Sequence, residues 1–174
     1  THTGTSPKRS LSRRKISKRR HRKNFTGKYC MQWMYNDEPV ENIPEGYIGF
    51  VYLITNLTSN RKYIGKKLAE FKTTKPPLKG KKNKRRGTKE SDWRTYWGSS
   101  EKLLADIAAL GDDKFTREIL FYCMSRGELS YIEAKEQFDR KVLETDDYYN
   151  GIINVRVGGS NILRQRLLEH AKKK

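Results

Sequence analysis

A chain of 174 residues with 34% hydrophobic and 33% charged residues can bury one modest core, which excludes a second large domain. Its 38 Lys and Arg exceed its 20 Asp and Glu by enough to give a formal net charge of +18, which favours a polyanionic partner, above all nucleic acid. No apolar run approaches the length of a membrane span, and the first residues do not resemble a signal peptide, so we expect no membrane partner.

The positive charge is concentrated in two segments. Residues 1–28 contain eleven Lys or Arg and residues 72–89 contain nine, and neither segment contains Asp or Glu. The other 18 basic residues face all 20 acidic ones, so the rest of the chain is close to neutral. This pattern predicts a nearly neutral folded body that carries two cationic, nucleic-acid-binding extensions.

Cysteine and histidine usage does not indicate a zinc site. Cys30 and Cys123 are far apart, and the three His residues are scattered without metal-ligand spacing. Two isolated cysteines are typical of free thiols in a reducing, intracellular environment.

The N-terminal part is predicted to lie outside the folded domain. Residues 1–28 have almost no apolar content and are expected to be a disordered basic tail. The aromatic segment at residues 29–35, YCMQWMY, would anchor the chain to its own body or to a larger assembly. An acidic linker follows, so we place residues 1–45 in this tail and anchor.

Residues 49–65 predict a β-hairpin with one tyrosine in each strand. A β-branched and aromatic run at 51–55 is followed by turn formers at 56–60 and by a returning strand that Gly65 ends. Tyr52 and Tyr63 are the two tyrosines. Aromatic residues suit strands, so simple packing is the alternative explanation for both.

The remaining elements follow in the order helix, strand, helix. The basic stretch at 72–89 is predicted to be a long loop, and such loops in small domains are usually functional or disordered. A helix capped by Ser99 or Ser100, a strand at 115–123 and a helix at about 128–144 come next. The order β-β-α-β-α predicts an α+β fold with a small antiparallel sheet backed by helices. We place this domain at residues 46–158, and a basic C-terminal helix at 159–174.

These residues, in this order, resemble the GIY-YIG nuclease family. The family's first motif appears as Phe50-Val51-Tyr52 after Gly49, which departs from the literal tripeptide and keeps its tyrosine; the second is literal, at Tyr63-Ile64-Gly65. The stretches YIGKK, SDWRTYWGSS and FTREIL are most similar to phage-encoded members. The resemblance covers roughly residues 46–156.

The resemblance implies a set of roles for phosphodiester hydrolysis. Tyr52 would activate the attacking water, Tyr63 would assist near the phosphate, and Gly65 would allow a close backbone approach. Because a neutral tyrosine is a poor base, cationic neighbours would have to lower its pKa, a role open to Lys67 and Arg94. One glutamate on the second helix would hold one divalent metal ion, Mg²⁺ or Mn²⁺.

Two of these assignments have open alternatives. For the catalytic cation we prefer Arg94, in an aromatic setting, over Lys67 or the pair Arg85 and Arg86; Arg94 could instead be solvated beside tryptophans that only pack. For the metal ligand, helical phase does not decide between Glu133 and Glu136, which lie three residues apart on one helix. We prefer Glu133, because its IEA context is more similar to the family pattern.

We expect nucleic acid to be contacted by the basic residues nearest the cleft and by the late Asn that follows Tyr149, which would also brace the site: Lys66, Lys81, Lys82, Lys84, Arg85, Arg86 and Asn150. Phosphate contacts position a protein without specifying a base sequence. The hypothesis is a metal-dependent DNA endonuclease in the cytoplasm of a host cell. The alternatives are a non-catalytic nucleic-acid-binding or virion-associated protein that reuses the fold, and an RNA-binding protein.

Overall fold

The computed structural model describes residues 32–172. The predicted basic tail and the first three residues of the aromatic segment lie outside the described residues.

A five-stranded sheet forms the centre of the domain, with the strand order β2-β1-β7-β3-β4. Its strands are β1 (Trp33–Tyr35), β2 (Glu38–Pro39), β3 (Gly49–Asn56), β4 (Lys62–Leu68) and β7 (Phe115–Cys123). A separate two-stranded ribbon consists of β5 (Glu70–Lys75) and β6 (Arg85–Glu90). The helices are α1 (Glu101–Leu110), α2 (Arg126–Asp139) and α3 (Asn161–Lys172), and short 3₁₀ turns lie at Trp93–Thr95 and Asp112–Lys114. The predicted α+β class is confirmed.

The sheet includes a segment that we had assigned to the anchor and linker. β1 pairs with β7 in parallel, so the antiparallel arrangement predicted for the sheet holds for its other strand pairs but not for this one. The Trp33 side chain is 2% exposed, its ring lies edge-on to Phe50 and Tyr52, and its Nε1 donates to the Trp93 carbonyl at 2.7 Å. The domain core therefore includes residue 33, which lies before the predicted boundary at 46. The physical reason is that a buried tryptophan needs both apolar cover and an acceptor for its N–H.

The predicted hairpin is β3 and β4, and its two faces enter two cores. Phe50, Tyr52 and Ile54 pack with Trp93 and other residues of the face that α1 covers. The alternate residues of β3, Val51 and Leu53, pack against Leu129 and Ile132 of α2. A strand that is buried on both faces carries apolar residues at consecutive positions, which explains why residues 50–54 of β3 show no alternation.

Half of the predicted basic loop at 72–89 is a β-ribbon. β5 and β6 pair from Glu70 opposite Glu90 to Lys75 opposite Arg85, and only the residues between them form a loop. Phe71 and the ribbon threonines favour extended structure, a signal that the many lysines obscured.

The second helix is shorter than predicted, since α2 ends at Asp139 and Lys141 adopts a positive φ of 53°. The C-terminal α3 packs near α2 through Arg166 and His170, which contact the buried Glu128 carboxylate at 3.2 and 2.7 Å. Within residues 32–172, no helix is long and apolar enough to cross a membrane.

Candidate active site

A polar cleft of about 390 Å³ lies along β4, the edge strand of the sheet. Side chains from both faces of this strand can reach the cleft because no further strand pairs with its outer side in the described sheet. Tyr63 and Lys66 enter from β4, Glu133 and Gln137 from α2, and Ser99 and Asn150 from loops. The cleft thus brings together residues that are distant in sequence.

Glu133 and Lys66 form an ion pair in this cleft. Lys66 Nζ lies 2.8 Å from Glu133 Oε2 and also donates to Ser130 Oγ at 3.2 Å. The Glu133 side chain is only 14% exposed, and this burial raises the pKa of its carboxyl, while Lys66 acts in the opposite direction. The carboxylate is therefore partly dehydrated and already adjacent to a cation.

Tyr52 lies deeper, inside the aromatic core. It is 1% exposed, its hydroxyl is hydrogen-bonded to Tyr96, and burial raises its pKa well above the ordinary value of 10.0. The neighbouring Tyr63 and Tyr96 and the carboxylate of Glu133 raise this pKa further. Our expectation that cations lower the pKa of Tyr52 is therefore wrong, because desolvation dominates at this position.

Tyr63 presents its hydroxyl at the cleft. Its ring centroid lies 6.1 Å from that of Tyr52, and its Oη is 3.2 Å from Ser99 Oγ. Gly98 lies against the ring with φ of 92°, and a Cβ there would be 3.0 Å from Tyr63 Cε1. The glycine in the GSS stretch therefore provides both the backbone conformation and the space for this tyrosine.

Gly65 has a different role from the predicted close approach of the backbone to phosphate. It lies directly opposite Tyr52 in the hairpin, and a Cβ at position 65 would be 2.5 Å from Tyr52 Oη. The absent side chain makes space for the phenol, so the glycine of the second motif accommodates the tyrosine of the first.

The predicted catalytic cations, Lys67 and Arg94, are engaged by other groups. Lys67 Nζ lies 3.6 Å above the Tyr96 ring centroid and 2.7 Å from Asp92 Oδ1, and this lysine lowers the pKa of the Asp92 carboxyl. The Lys67 side chain is on the same face of the hairpin as Tyr52, and its ammonium is paired with Asp92.

Arg94 lies over the Trp93 ring and is held by three acceptors: Glu90 Oε1 at 3.1 Å, the Glu41 carbonyl, and Asn42 Oδ1 at 3.0 Å. Neither Arg94 nor Lys67 lines the cleft, whereas Lys66 does. Arg94 thus stabilises the segment at 41–42. The predicted aromatic setting is present, but the guanidinium does not lie in the cleft that contains Glu133.

Arg117 of β7 was not identified from the sequence and holds the segment around Tyr96. It is 2% exposed, lies between the rings of Trp33 and Trp97, and its Nη1 donates to the Arg94 and Tyr96 carbonyls at 3.0 and 3.1 Å. Burial lowers its pKa to about 10. Arg117 lies at every second position with Phe115 and Ile119, so the strand period could have indicated that its side chain points into the core.

Asn150 braces the edge of the sheet. Its Oδ1 accepts from Ile64 N at 3.0 Å and its Nδ2 donates to the Ile64 carbonyl at 2.7 Å, while Gln137 Nε2 donates to the same carbonyl at 3.2 Å. The amide therefore pairs with β4 as a neighbouring strand would. The bracing role expected for Asn150 agrees with this geometry, and its contact with nucleic acid stays a prediction.

The two candidate glutamates have different environments. Glu136 is 3% exposed, and its Oε2 accepts from Arg140 Nε at 3.1 Å, away from the cleft. Glu133 alone of the two lines the cleft with Tyr63 and Lys66. The basic residues predicted to contact nucleic acid at 81–86 are exposed, at the tip and the beginning of β6: Lys81, Lys82, Lys84, Arg85 and Arg86.

Sequence reasoning placed Lys66 with the nucleic-acid contacts and did not pair it with the glutamate. Lys66 lies two residues after Ile64 in β4, so both side chains are on the face that packs against α2. The two-residue period of a strand could have indicated this from the sequence. Tyr96, Ser99 and Gln137 were missed because only the tertiary structure brings their segments to β4.

The cleft fits a metal ion that keeps most of its water. Among the described residues lining it, Glu133 is the only carboxylate, and no group of three or more His, Cys, Asp or Glu that could hold a metal occurs within 32–172. Mg²⁺ is commonly held by one or two carboxylates together with substrate phosphates. The donor set therefore fits Mg²⁺ or Mn²⁺ and does not fit zinc.

A larger cavity of about 960 Å³ lies between α2 and α3 and is mostly apolar. It includes Glu136 but not Tyr63, Lys66 or Glu133. The polar and charged groups that hydrolysis of an anionic phosphodiester would need line the smaller cleft instead.

Comparison with protein families gives a match to the family described as "Putative endonuclease segE, GIY-YIG domain" over residues 33–153. The match begins at the tryptophan that opens β1, in agreement with the sheet, and ends after the cleft-lining segment at 150–152. Searches of curated proteins and of solved structures found no match. The matched region is well over half of the chain, and it contains the tyrosine hairpin, the edge-strand cleft and the glutamate-bearing helix; the chain belongs to the GIY-YIG endonuclease family.

Proposed function

We propose that this chain is a divalent-metal-dependent DNA endonuclease that hydrolyses phosphodiester bonds in the cleft beside β4. The observation that carries the proposal is the meeting of Glu133, Lys66 and Tyr63 in one polar cleft of a domain from a nuclease family.

The cleft can supply the groups that phosphodiester hydrolysis requires. The reaction needs an oriented water and positive charge at the phosphoryl oxygens and the leaving oxygen. We assign orientation of the water to the Tyr63 hydroxyl beside Ser99, and neutralisation of a phosphoryl oxygen to Lys66. Glu133 would hold Mg²⁺ or Mn²⁺, which supplies further positive charge at the phosphate when bound.

Tyr52 has a supporting role in this assignment. A tyrosine of ordinary pKa is already protonated at neutral pH and burial raises the pKa of Tyr52 further, so its phenol is a hydrogen-bond donor within the tyrosine cluster and not a base. Its hydroxyl fixes Tyr96, and its ring packs on Tyr63, so we expect it to hold Tyr63 in the orientation that the water needs.

The test is cleavage of supercoiled plasmid with Mg²⁺, with EDTA as the control. We expect the parent to nick or linearise the plasmid and Glu133→Gln to abolish cutting while it still shifts DNA in a gel. Glu136→Gln, on the same helix and paired with Arg140, should retain cutting. Both variants replace a glutamate of α2 by glutamine, one inside the cleft and one outside it, so a difference in cutting reports on the position and not on the type of substitution.

Three results would contradict the proposal. Cutting by Glu133→Gln would exclude the metal role of this residue. DNA binding by the parent without cutting, under Mg²⁺ and Mn²⁺, would favour a non-catalytic protein on the same fold. A strong preference for structured RNA without metal-dependent cutting would favour an RNA-binding protein.

A further inference from the structure

The β5–β6 ribbon projects from the domain as a separate two-stranded unit. Its strands pair with each other and with no strand of the main sheet as described. Every residue of the two strands is exposed except Thr73, which is half-buried. Six residues in each strand give a length of about 20 Å. A ribbon of this kind has two free faces and can be covered by a partner on either.

Strand pairing defines two chemically different faces. The basic face comprises the cross-strand pairs Phe71–Lys89, Thr73–Gly87 and Lys75–Arg85. The opposite face comprises the pairs Glu70–Glu90, Lys72–Thr88 and Thr74–Arg86. Within these described strands, the basic face has three cations and no carboxylate, whereas the opposite face has two cations and two carboxylates. The ribbon is therefore polarised, with positive charge on one side.

The basic face contains a pair of like charges that a polyanion would stabilise. Lys75 lies directly opposite Arg85, and like charges in this position destabilise a strand pair. An anionic ligand on this face would relieve that repulsion.

The ribbon also fits the groove of a duplex in size and position. A major groove about 12 Å wide admits a two-stranded β-ribbon, whereas a minor groove about 6 Å wide does not. Glu70 follows the cleft-lining Lys66 by four residues, which places the base of the ribbon within about 13 Å of the cleft along the strand. A duplex cut in the cleft would thus pass the ribbon within about one helical turn.

We propose that the basic face of the β5–β6 ribbon lies in the major groove of double-stranded DNA, beside the cleft. This inference rests on the proposed DNA endonuclease and specifies its substrate as duplex B-DNA. The exposed lysines of the tip, at 79, 81, 82 and 84, then contact the phosphates along the groove.

The experiment compares two double variants of the full chain, each carrying Glu133→Gln so that the probe stays intact. Lys75→Ala with Arg85→Ala removes two charges from the basic face, and Lys72→Ala with Arg86→Ala removes two from the opposite face. Fluorescence anisotropy measures their binding to a duplex two helical turns long. A second duplex has bulky substituents at cytosine C5, which project into the major groove, and netropsin occupies the minor groove of the first.

We expect the basic-face variant to bind the plain duplex about tenfold more weakly, or worse, than the opposite-face variant. The substituted duplex should weaken binding of the parent and have little further effect on the basic-face variant, and netropsin should not compete. The proposal would be overturned if the two variants lost the same DNA affinity or if netropsin displaced the parent from the duplex. Binding of the parent to a single strand as tightly as to the duplex would also overturn it.

Failure of this inference and failure of the proposed nuclease can be distinguished. If the groove pattern appears but the parent does not cut plasmid, the ribbon assignment stands and the nuclease fails. If the parent cuts plasmid with Mg²⁺ but the variants bind alike, the nuclease stands and the ribbon assignment fails. Melting temperatures should not fall in either variant, because all four substituted residues are exposed and Lys75→Ala with Arg85→Ala also removes a like-charge pair.

Discussion

The phenol of Tyr52 fills the space that a side chain at Gly65 would take. A Cβ at position 65 would lie 2.5 Å from Tyr52 Oη and 2.7 Å from its Cζ. Since both atoms belong to the Tyr52 phenol, which is buried in the core, the clash cannot be relieved by rotation of this side chain into solvent. The two motifs of the family are thus linked by packing across the hairpin.

Gly65→Ala is expected to displace Tyr52 and lower both stability and activity. Forcing an extra methyl into a packed core typically costs about 1–3 kcal/mol. Chemical denaturation measures the free energy of unfolding, and plasmid nicking measures the activity. Gly158→Ala is the matched control, because a Cβ at 158 meets no atom within 4 Å. Equal stability of the two variants would show that the hairpin accommodates the methyl.

Lys66→Met is expected to strengthen metal binding and weaken cleavage. Lys66 Nζ lies 2.8 Å from the carboxylate that we assign to the metal, so the ammonium and the metal compete for the same oxygen. A partly exposed ion pair contributes about 1 kcal/mol or less, so the gain in metal affinity should be a few-fold. Mn²⁺ binding followed by electron paramagnetic resonance measures the affinity.

Lys135→Met is the control for this variant, since Lys135 lies on the same helix as Glu133 and pairs with Asp139 instead. It removes the same charge and should leave both metal binding and cleavage unchanged. Weaker Mn²⁺ binding by Lys66→Met would contradict competition for the carboxylate.

Tyr63→Phe should lower activity more than stability, and Tyr52→Phe should lower stability. The Tyr63 hydroxyl reaches the cleft and Ser99, so its loss should lower kcat at least tenfold with little change in stability. The Tyr52 hydroxyl is buried and bonded to Tyr96, so its loss should cost about 1 kcal/mol of stability. Thermal unfolding and single-turnover cleavage separate the two effects. A stable Tyr63→Phe protein with full activity would remove this hydroxyl from the mechanism.

Alkaline pH should unfold the protein partly through its buried tyrosines. Burial, with a smaller effect of Tyr35, raises the pKa of Tyr122 from 10.0 to about 12. Above pH 10 the unfolded chain loses this proton while the folded protein keeps it, so stability falls as pH rises toward 12. Tyr122→Phe should flatten that decline, as measured by urea unfolding across this pH range. Tyr131→Phe, which removes an exposed tyrosine, should leave the decline as steep as in the parent.

Much of the fold follows from local sequence patterns. Turn formers between two β-rich runs suffice for the β3–β4 hairpin. Of the two serines predicted as possible caps of α1, Ser100 is the cap, with its side chain accepting from Leu103 N. The family motifs in the hairpin led to the correct family. In contrast, the parallel pairing of β1 with β7 joins segments more than eighty residues apart, and no local pattern specifies such a contact.

The sequence by itself determined the composition of the site: a tyrosine hairpin, a glutamate-bearing helix, and a basic insertion next to both. Only the tertiary structure decided which of these groups meet. Helical phase left Glu133 and Glu136 equivalent, but the packing of α2 against β4 turns Glu133 toward Lys66 and leaves Glu136 with Arg140. The environment of Tyr52 was decided in the same way, because desolvation depends on every segment that covers a group, and those segments come from the whole length of the chain.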